Sequence, residues 1–71
     1  MFIVKKNTKA GSVFTGVECG TIGEAKSYCE SAVEGKVPTT DDADNYFQME
    51  VYELASNGNL DQVYATGFYE E

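Results

Sequence analysis

Two stretches rich in tyrosine, phenylalanine and valine, residues 46–55 and 60–69, flank an Asn57-Gly58 pair. This arrangement constrains the fold more than any other feature of the chain. Asn-Gly is the strongest short hairpin signal, because both residues readily adopt the positive φ angles that a tight turn requires. The two stretches are therefore predicted to form an antiparallel hairpin.

The residues of this hairpin can be paired by placing the Asn-Gly pair at the centre of a loop of two or four residues. Val51 then faces Tyr64, and Phe47 faces Phe68. A loop one residue longer or shorter would exchange the two faces of one strand, so the sorting of apolar residues favours an even loop. One face is predicted to carry Phe47, Met49, Val51, Tyr64 and Phe68. The other face is predicted to carry Tyr46, Gln48, Glu50, Tyr52, Leu54, Val63, Ala65 and Tyr69.

A capping box at residues 21–24 predicts a helix over residues 22–34, and Gly35 is a typical terminator. Residues 2–6 and 12–18 are predicted to be two strands that form a first hairpin. The sequence therefore predicts an α+β fold in a single domain over residues 1–71: ββαββ, an antiparallel sheet with one helix packed across one face. The pattern does not set the strand order. The predicted core face of the helix carries Ile22, Ala25, Cys29, Ala32 and Val33.

The residue types present argue against catalysis and metal binding. Histidine is absent, which removes the usual general base near neutral pH, and no spacing of cysteine, lysine or carboxylate residues points to another catalytic site. Two cysteines ten residues apart do not supply a zinc site. An EF-hand loop starting at Asp42 would place Phe47 where glycine is required. We therefore expect no enzyme, no metal and no cofactor, with Cys19 and Cys29 as free thiols and Cys29 in the core.

The charge of the chain is divided along the sequence. All five lysines lie within residues 1–36, whereas residues 37–71 contain eight acidic residues and no basic one, so the two segments carry +1 and −8 of the net charge of −7. An acidic surface disfavours direct contact with nucleic acid or anionic lipid, because phosphate repels carboxylate. No apolar run approaches the roughly 20 residues of a membrane helix, and residues 1–6 do not resemble a signal peptide, so we expect a cytoplasmic protein.

The acidic residues surround the far face of the second hairpin. This is the predicted surface whose aromatic residues are not needed for the core. Tyrosine is enriched at interfaces, and a monomer rarely leaves a large apolar patch open. Three alternatives follow: the first hairpin or a loop covers this face, a second copy of the chain binds it in a homodimer, or another partner binds it. The candidate partner-binding residues are Asp41, Asp42, Asp44, Tyr46, Glu50, Tyr52, Glu53, Asp61 and Tyr69.

Two functions of different classes fit these residues. In the first, the chain is a non-enzymatic inhibitor or adaptor, and its carboxylates imitate phosphates to dock on the basic, nucleic-acid-binding surface of a partner protein. In the second, the chain is a small homodimeric structural or assembly module of phage or bacterial origin, and its acidity only maintains solubility.

The layout of the chain also resembles small phage-encoded proteins, among them several anti-CRISPR inhibitors. The similarity is carried by a Thr-x-x-Glu-Ala-Lys helix start (Thr21, Glu24, Ala25 and Lys26) followed by a tyrosine-rich hairpin. It implies a non-enzymatic inhibitor that binds a nuclease or a CRISPR effector complex in the cytoplasm of the host cell. Some inhibitors of this layout contact their targets through lysines rather than acids, so no family residue is transferred to this chain.

Overall fold

The computed structural model describes all 71 residues, and it contains six strands and one helix. The sheet is antiparallel throughout, and one helix packs on one of its faces, so the predicted α+β class is confirmed. In chain order the elements are β1 (Phe2–Thr8), β2 (Gly11–Cys19), α1 (Ile22–Val33), β3 (Pro38–Thr39), β4 (Tyr46–Leu54), β5 (Leu60–Ala65) and β6 (Phe68–Glu70).

The first hairpin extends the sheet beside the second one. The strand order is β2-β1-β4-β6-β3, and β5 pairs with the part of β4 that β6 leaves free. β1 therefore lies directly against β4, with Val4 opposite Val51. This pairing makes β1 and β4 the central strands, and it excludes the alternative in which the first hairpin covers a face of the second.

The hydrophobic core lies between α1 and the sheet. Val4 and Val51 are fully buried at its centre, and they meet Ala25 and Cys29 of the helix. The small side chains of these two helical residues allow the helix to lie close to the strands. Phe47 and Met49 complete the core on β4, so the alternate residues of β4 that were predicted to be apolar do face inward.

Both ends of α1 follow from local sequence signals. The Thr21 hydroxyl oxygen accepts a hydrogen bond from the Glu24 backbone N–H at 3.2 Å, as expected for a capping box. The helix ends at Val33, one residue earlier than predicted, and Gly35 follows with φ of +74°. That angle is strained for residues with a Cβ atom, which explains glycine at this position.

The second hairpin turns through three residues, 56–58, instead of the predicted two or four. The Gly58 backbone N–H donates to the Ala55 carbonyl oxygen at 3.0 Å, and Gly58 has φ of +88°. Leu54 therefore pairs with Leu60. A three-residue loop of this kind is a turn followed by a glycine in the left-handed region.

A bulge in β5 corrects the register that the odd loop displaces. Tyr52 pairs with Gln62, but Val51 pairs with Tyr64, so Val63 has no partner on β4. One extra residue on one strand is the defining feature of a β-bulge. Because of this bulge, Val51 faces Tyr64 as predicted, although the loop contains an odd number of residues and not an even number.

A second interruption separates β5 from β6 and overturns the predicted register at the far end. The Thr66 backbone N–H donates to the Met49 carbonyl oxygen at 2.9 Å, and the Met49 N–H donates to the Thr66 hydroxyl oxygen at 3.0 Å. Beyond this point Phe47 pairs with Tyr69, where Phe68 was predicted. Phe68 therefore lies on the face opposite the helix, and Tyr69 lies on the helix side.

Candidate functional site

The face of the sheet opposite α1, here called the helix-free face, is covered by no helix or strand. Side chains alternate across a strand, so the residues between the core positions of the central strands project from this face. β1 contributes Ile3, Lys5 and Asn7, and β4 contributes Tyr46, Gln48, Glu50, Tyr52 and Leu54. This is the face on which the sequence predicted a partner-binding surface.

Glu50 is the buried acidic residue at the middle of the helix-free face, with 8% of its surface exposed. Its Oε1 atom accepts hydrogen bonds from Asn7 Nδ2 at 2.5 Å and from the Tyr52 hydroxyl at 3.2 Å. Asn7 Nδ2 also donates to Gln48 Oε1 at 3.2 Å. A buried carboxylate is costly unless it is hydrogen-bonded, so this network is what allows Glu50 to remain in the sheet.

The Tyr52 hydroxyl contacts an acceptor on its own strand and an acceptor on β5. It lies 3.2 Å from Glu50 Oε1 and 3.5 Å from Gln62 Oε1. Burial raises the pKa of Tyr52 above its usual value, and the charge of Glu50 and the hydrogen bond to it raise the pKa further. Tyr52 therefore acts as a neutral hydrogen-bond donor around neutral pH.

An aromatic pair with a lysine beside it lies next to Glu50. The rings of Phe14 and Tyr52 meet edge to face, with centroids 6.2 Å apart. Lys5 Nζ lies 5.5 Å from the Phe14 centroid and 5.4 Å from the Tyr52 centroid, within the range of a cation–π interaction. Phe14 remains 47% exposed, so the aromatic surface is accessible from solvent.

Phe14 and Asn7 were not among the predicted site residues. Phe14 alternates with Val13 and Thr15 along β2, so the sequence indicated which face of the strand it occupies. The sequence did not indicate which strands lie next to β2 in the sheet. The predicted first strand ended at residue 6 and so left out Asn7, whereas Asn7 lies in β1 opposite Gln48. Only the β1–β4 pairing reveals the role of either residue.

An open pocket of about 340 Å³ lies at the end of the helix-free face nearest the β1–β2 turn. Asp41 from the loop before β4 lines it on one side, and Asn7 and Ser12 line it from the first hairpin. Tyr46 and Phe68 provide an aromatic side, with their rings edge to face and centroids 5.3 Å apart. The pocket thus combines an acidic, an amide and an aromatic surface.

The structure brings only part of the predicted set together. Asp41, Tyr46, Glu50 and Tyr52 lie on the helix-free face or at its edge. Asp42 and Asp44 are exposed in the same loop as Asp41.

The other predicted residues lie elsewhere in the fold. Glu53 and Asp61 are exposed opposite each other at the other end of β4, about 23 Å from Tyr46 at the usual rise per residue of a strand. Tyr69 is on the helix side, where its ring packs at 6.2 Å from Phe47, so its predicted placement on the far face is wrong. Apart from Glu50, the predicted acidic residues therefore form two groups, one in the loop before β4 and one at the far end of β4.

The positive and negative segments of the sequence are interleaved in space. Because β1 lies beside β4, Lys5 stands opposite Glu50 on the central strands. Lys6 Nζ forms a salt bridge of 3.1 Å with Glu71 on the helix side. A second pocket of about 280 Å³ opens there between Lys6 and Lys36. This pocket on the helix side is thus lined by two lysines and by Glu71.

Neither cysteine takes part in a disulfide, and Cys29 is buried in the core, as predicted. Burial raises the pKa of the Cys29 thiol from 9.0 to about 11, and Cys19 and Glu30 contribute in the same direction. A thiol of this kind is unreactive near neutral pH. No three histidine, cysteine or acidic side chains come close enough together to hold a metal ion.

Comparisons with known proteins do not assign this chain to a family. The chain matches no protein-family model, no curated protein and no solved structure. No helix has the length and apolar character needed to cross a membrane. The chemistry of the helix-free face is therefore the basis for a functional conclusion.

Proposed function

We propose that this chain is a non-enzymatic binding protein that docks the helix-free face of its sheet on a basic surface of a partner protein. The single observation that carries the proposal is that face itself. It is uncovered, it exposes the aromatic pair of Phe14 and Tyr52, and a hydrogen-bonded carboxylate, Glu50, is fixed beneath it. Aromatic residues on an exposed patch are typical of protein interfaces.

The polar side chains on this face have fixed conformations, and this favours binding. Asn7, Glu50 and Tyr52 are already held by one another in the free protein. Side chains that are fixed before association lose little conformational entropy when a partner arrives. The central strands thus offer a preorganised surface.

The distribution of acidic residues favours a basic partner, and specifically a surface that otherwise binds nucleic acid. Asp41 stands at one edge of this face, and Glu50 lies at its middle. An inhibitor that presents carboxylates on its docking face competes with phosphates for the same lysines and arginines.

Within this proposal the partner is a nuclease or a CRISPR effector complex, and the chain acts in the cytoplasm of the host cell. The net charge of −7 and the resemblance to anti-CRISPR inhibitors in element order support this assignment. The resemblance supports the class of function alone.

The test compares two exposed aromatic residues on opposite sides of the molecule. Phe14 is 47% exposed on the helix-free face, and Tyr28 is 40% exposed on α1. A partner is first captured from host-cell extract and purified, and its affinity is then measured by calorimetry. Phe14→Ala is expected to weaken binding by about tenfold, because aromatic anchors dominate interface energies. Tyr28→Ala is the matched control and should leave the affinity within about twofold.

The same complex should weaken steeply as salt is raised from about 50 to 200 mM, and nucleic acid should compete with the chain for the partner. Binding that does not depend on salt, or that responds to Tyr28→Ala and not to Phe14→Ala, would contradict the proposal.

A second candidate function, the homodimeric assembly module, is favoured by the free edge of β2. This strand ends the sheet, so one row of its backbone N–H and C=O groups has no partner strand, and Val13 beside it is 61% exposed. Edge strands of this kind can pair with a second copy of the chain. Light scattering over a range of protein concentrations distinguishes the homodimer from a monomeric binding protein. A monomer at every concentration would contradict the homodimeric function.

A further inference from the structure

We infer that the pocket at the β1–β2 turn end of the helix-free face is a socket for an arginine side chain of the partner protein. The inference rests on the proposed function and deepens it, because it identifies which chemical group of a basic surface this chain receives. The pocket, of about 340 Å³, falls within the size range of pockets that bind small ligands.

The pocket has an excess of hydrogen-bond acceptors. The Asp41 carboxylate lines it and takes part in no salt bridge or hydrogen bond within the protein. Asn7 uses its Nδ2 atom to donate to Gln48 and Glu50, which leaves its amide oxygen free to accept. The Ser12 hydroxyl also lines the pocket without an internal partner. A guanidinium group carries five N–H donors and no acceptor, so it complements this set.

The aromatic side of the pocket selects arginine over lysine. Tyr46 and Phe68 are half-buried, with their rings edge to face and centroids 5.3 Å apart. A planar guanidinium stacks on an aromatic face and can at the same time donate two parallel hydrogen bonds to a carboxylate. An ammonium group lacks the planar geometry for both contacts.

Several hydrogen bonds hold the walls of the pocket in place. Gln48 Nε2 donates to the Thr66 carbonyl oxygen at 2.9 Å, and the Thr8 hydroxyl donates to the Gly11 carbonyl oxygen at 2.9 Å. The loop that carries Asp41 is closed by a hydrogen bond from the Ala43 N–H to the Thr40 carbonyl oxygen at 3.2 Å. The walls of the pocket and the loop that carries Asp41 are therefore fixed before a guanidinium arrives.

One lysine reaches the same loop without neutralising it. Lys9 Nζ contacts the carbonyl oxygen of Ala43 at 3.4 Å and forms no salt bridge with Asp41. The Asp41 carboxylate thus remains available. By contrast, the second pocket of the molecule is lined by two lysines, Lys6 and Lys36, and its one carboxylate, Glu71, is already paired with Lys6.

The socket can be tested on the free protein, without the partner. N-acetyl-arginine amide is titrated into the ¹⁵N-labelled chain, and the chemical shifts of the amide signals are followed. Saturable shifts at Asn7, Ser12 and Phe68, with a dissociation constant below about 20 mM, are expected. N-acetyl-citrulline amide has nearly the same shape without the charge, and it should cause no saturable shift. Absence of saturable shifts with the arginine probe, or equal shifts with the citrulline probe, would overturn the socket.

Two variants and a matched control locate the contact. Asp41→Asn should weaken the binding of the arginine probe at least about fivefold, since it removes the charge that pairs with the guanidinium. Phe68→Leu keeps an apolar side chain and removes the ring, and it should weaken binding about threefold. Asp42→Asn makes the same change of charge in the same loop at a residue that does not line the pocket, so it should leave the affinity unchanged. Equal effects of the two Asn variants would also overturn the socket.

Failure of the socket and failure of the proposed function give different results. If the partner complex is weakened by Phe14→Ala but not by Asp41→Asn, the helix-free face is the interface and the pocket is not an arginine socket. If the arginine probe binds as described but Phe14→Ala leaves the partner complex intact, the socket holds arginine and the proposed docking face is wrong.

Discussion

The two faces of the central sheet are built from the same strands but are stabilised in different ways. On the helix side, β4 presents Phe47, Met49 and Val51, and these pack against an apolar helix surface. On the helix-free side, the same strand presents Glu50 and Tyr52, which are held by hydrogen bonds. One face is closed by packing and the other is ordered by a polar network.

This difference implies a division between stability and recognition within single strands. Burial of apolar area provides most of the folding free energy of a small domain. Hydrogen-bonded polar groups add less net stability, but they fix side chains in defined positions. Variants on the helix side should therefore affect folding, and variants on the helix-free side should affect binding more than folding.

The largest expected difference is between two phenylalanines near the same end of the sheet. Phe47→Ala should lower the free energy of unfolding by about 3–5 kcal/mol, because it leaves a cavity in the core. Phe68→Ala should lower it by only about 1 kcal/mol, because the ring is half-buried on the open face. Urea denaturation followed by circular dichroism measures both. Equal losses would show that the two faces contribute alike.

The pH dependence of stability provides a second comparison. Burial raises the pKa of Cys29 from 9.0 to about 11, so the folded state holds this proton more tightly than the unfolded state. The stability from this thiol is fully present below pH 9 and is lost as the pH rises to about 11, a loss of about 2 kcal/mol.

Denaturation at a series of pH values measures this slope. Cys29→Ala should remove most of it, whereas Cys19→Ala should lower it only slightly, because the buried thiol stays in place and only the smaller contribution of Cys19 to its raised pKa is lost. A slope between pH 9 and 11 that is unchanged in Cys29→Ala would show that the core thiol is not its source.

The polar network should have a smaller effect on stability. Glu50→Ala should cost about 1.5 kcal/mol, since hydrogen bonds to a charged group are lost. A double-mutant cycle with Tyr52→Phe should give a coupling energy of about 1 kcal/mol, because the two side chains contact each other directly. Additive losses in the cycle would mean that the hydrogen bond between them contributes nothing to folding.

The smallest effect is expected for the one salt bridge. Lys6 and Glu71 are 36% and 44% exposed in their side chains. Glu71→Gln should therefore change the free energy of unfolding by less than about 0.5 kcal/mol, and high salt should remove the difference. A loss as large as that of Glu50→Ala would show that this exposed ion pair stabilises the fold as much as the buried network does.

Local signals in the sequence were sufficient for much of the fold. The capping box at Thr21 and the Asn-Gly pair identify the helix start and the second hairpin, because caps and tight turns depend on a few adjacent residues. The alternation of β4 identifies the side of Phe47 and Met49 that faces the core. The pairing of Val51 with Tyr64 was also predicted correctly.

The irregularities of the hairpin could not be predicted from a rule of constant pairing. The odd loop and the bulge at Val63 shift the register in opposite senses, so the middle of the hairpin remains as predicted while the loop does not. The Thr66 hydroxyl takes the place of a strand carbonyl as the acceptor for Met49. That substitution depends on side-chain geometry, and it is the reason that Tyr69 and Phe68 exchange faces.

The candidate site was predicted only in part, because strand order is a long-range property. The sequence identified Tyr46, Glu50 and Tyr52 as members of one face, since they alternate along a single strand. It did not reveal that Asn7 and Lys5 would lie against that strand from β1. The charge split along the sequence therefore gave no guide to how the charges are distributed in space.

The bulge at Val63 also bears on insertions and deletions in this hairpin. Because Val63 has no partner on β4, loss of this one residue would convert β5 to a regular strand in which every neighbouring pair is retained. Loss of a residue on either side of the bulge, such as Gln62 or Tyr64, would remove a paired side chain. Val63 is thus the position at which a homologous chain can be one residue shorter while Tyr52 and Tyr64 keep their separate faces.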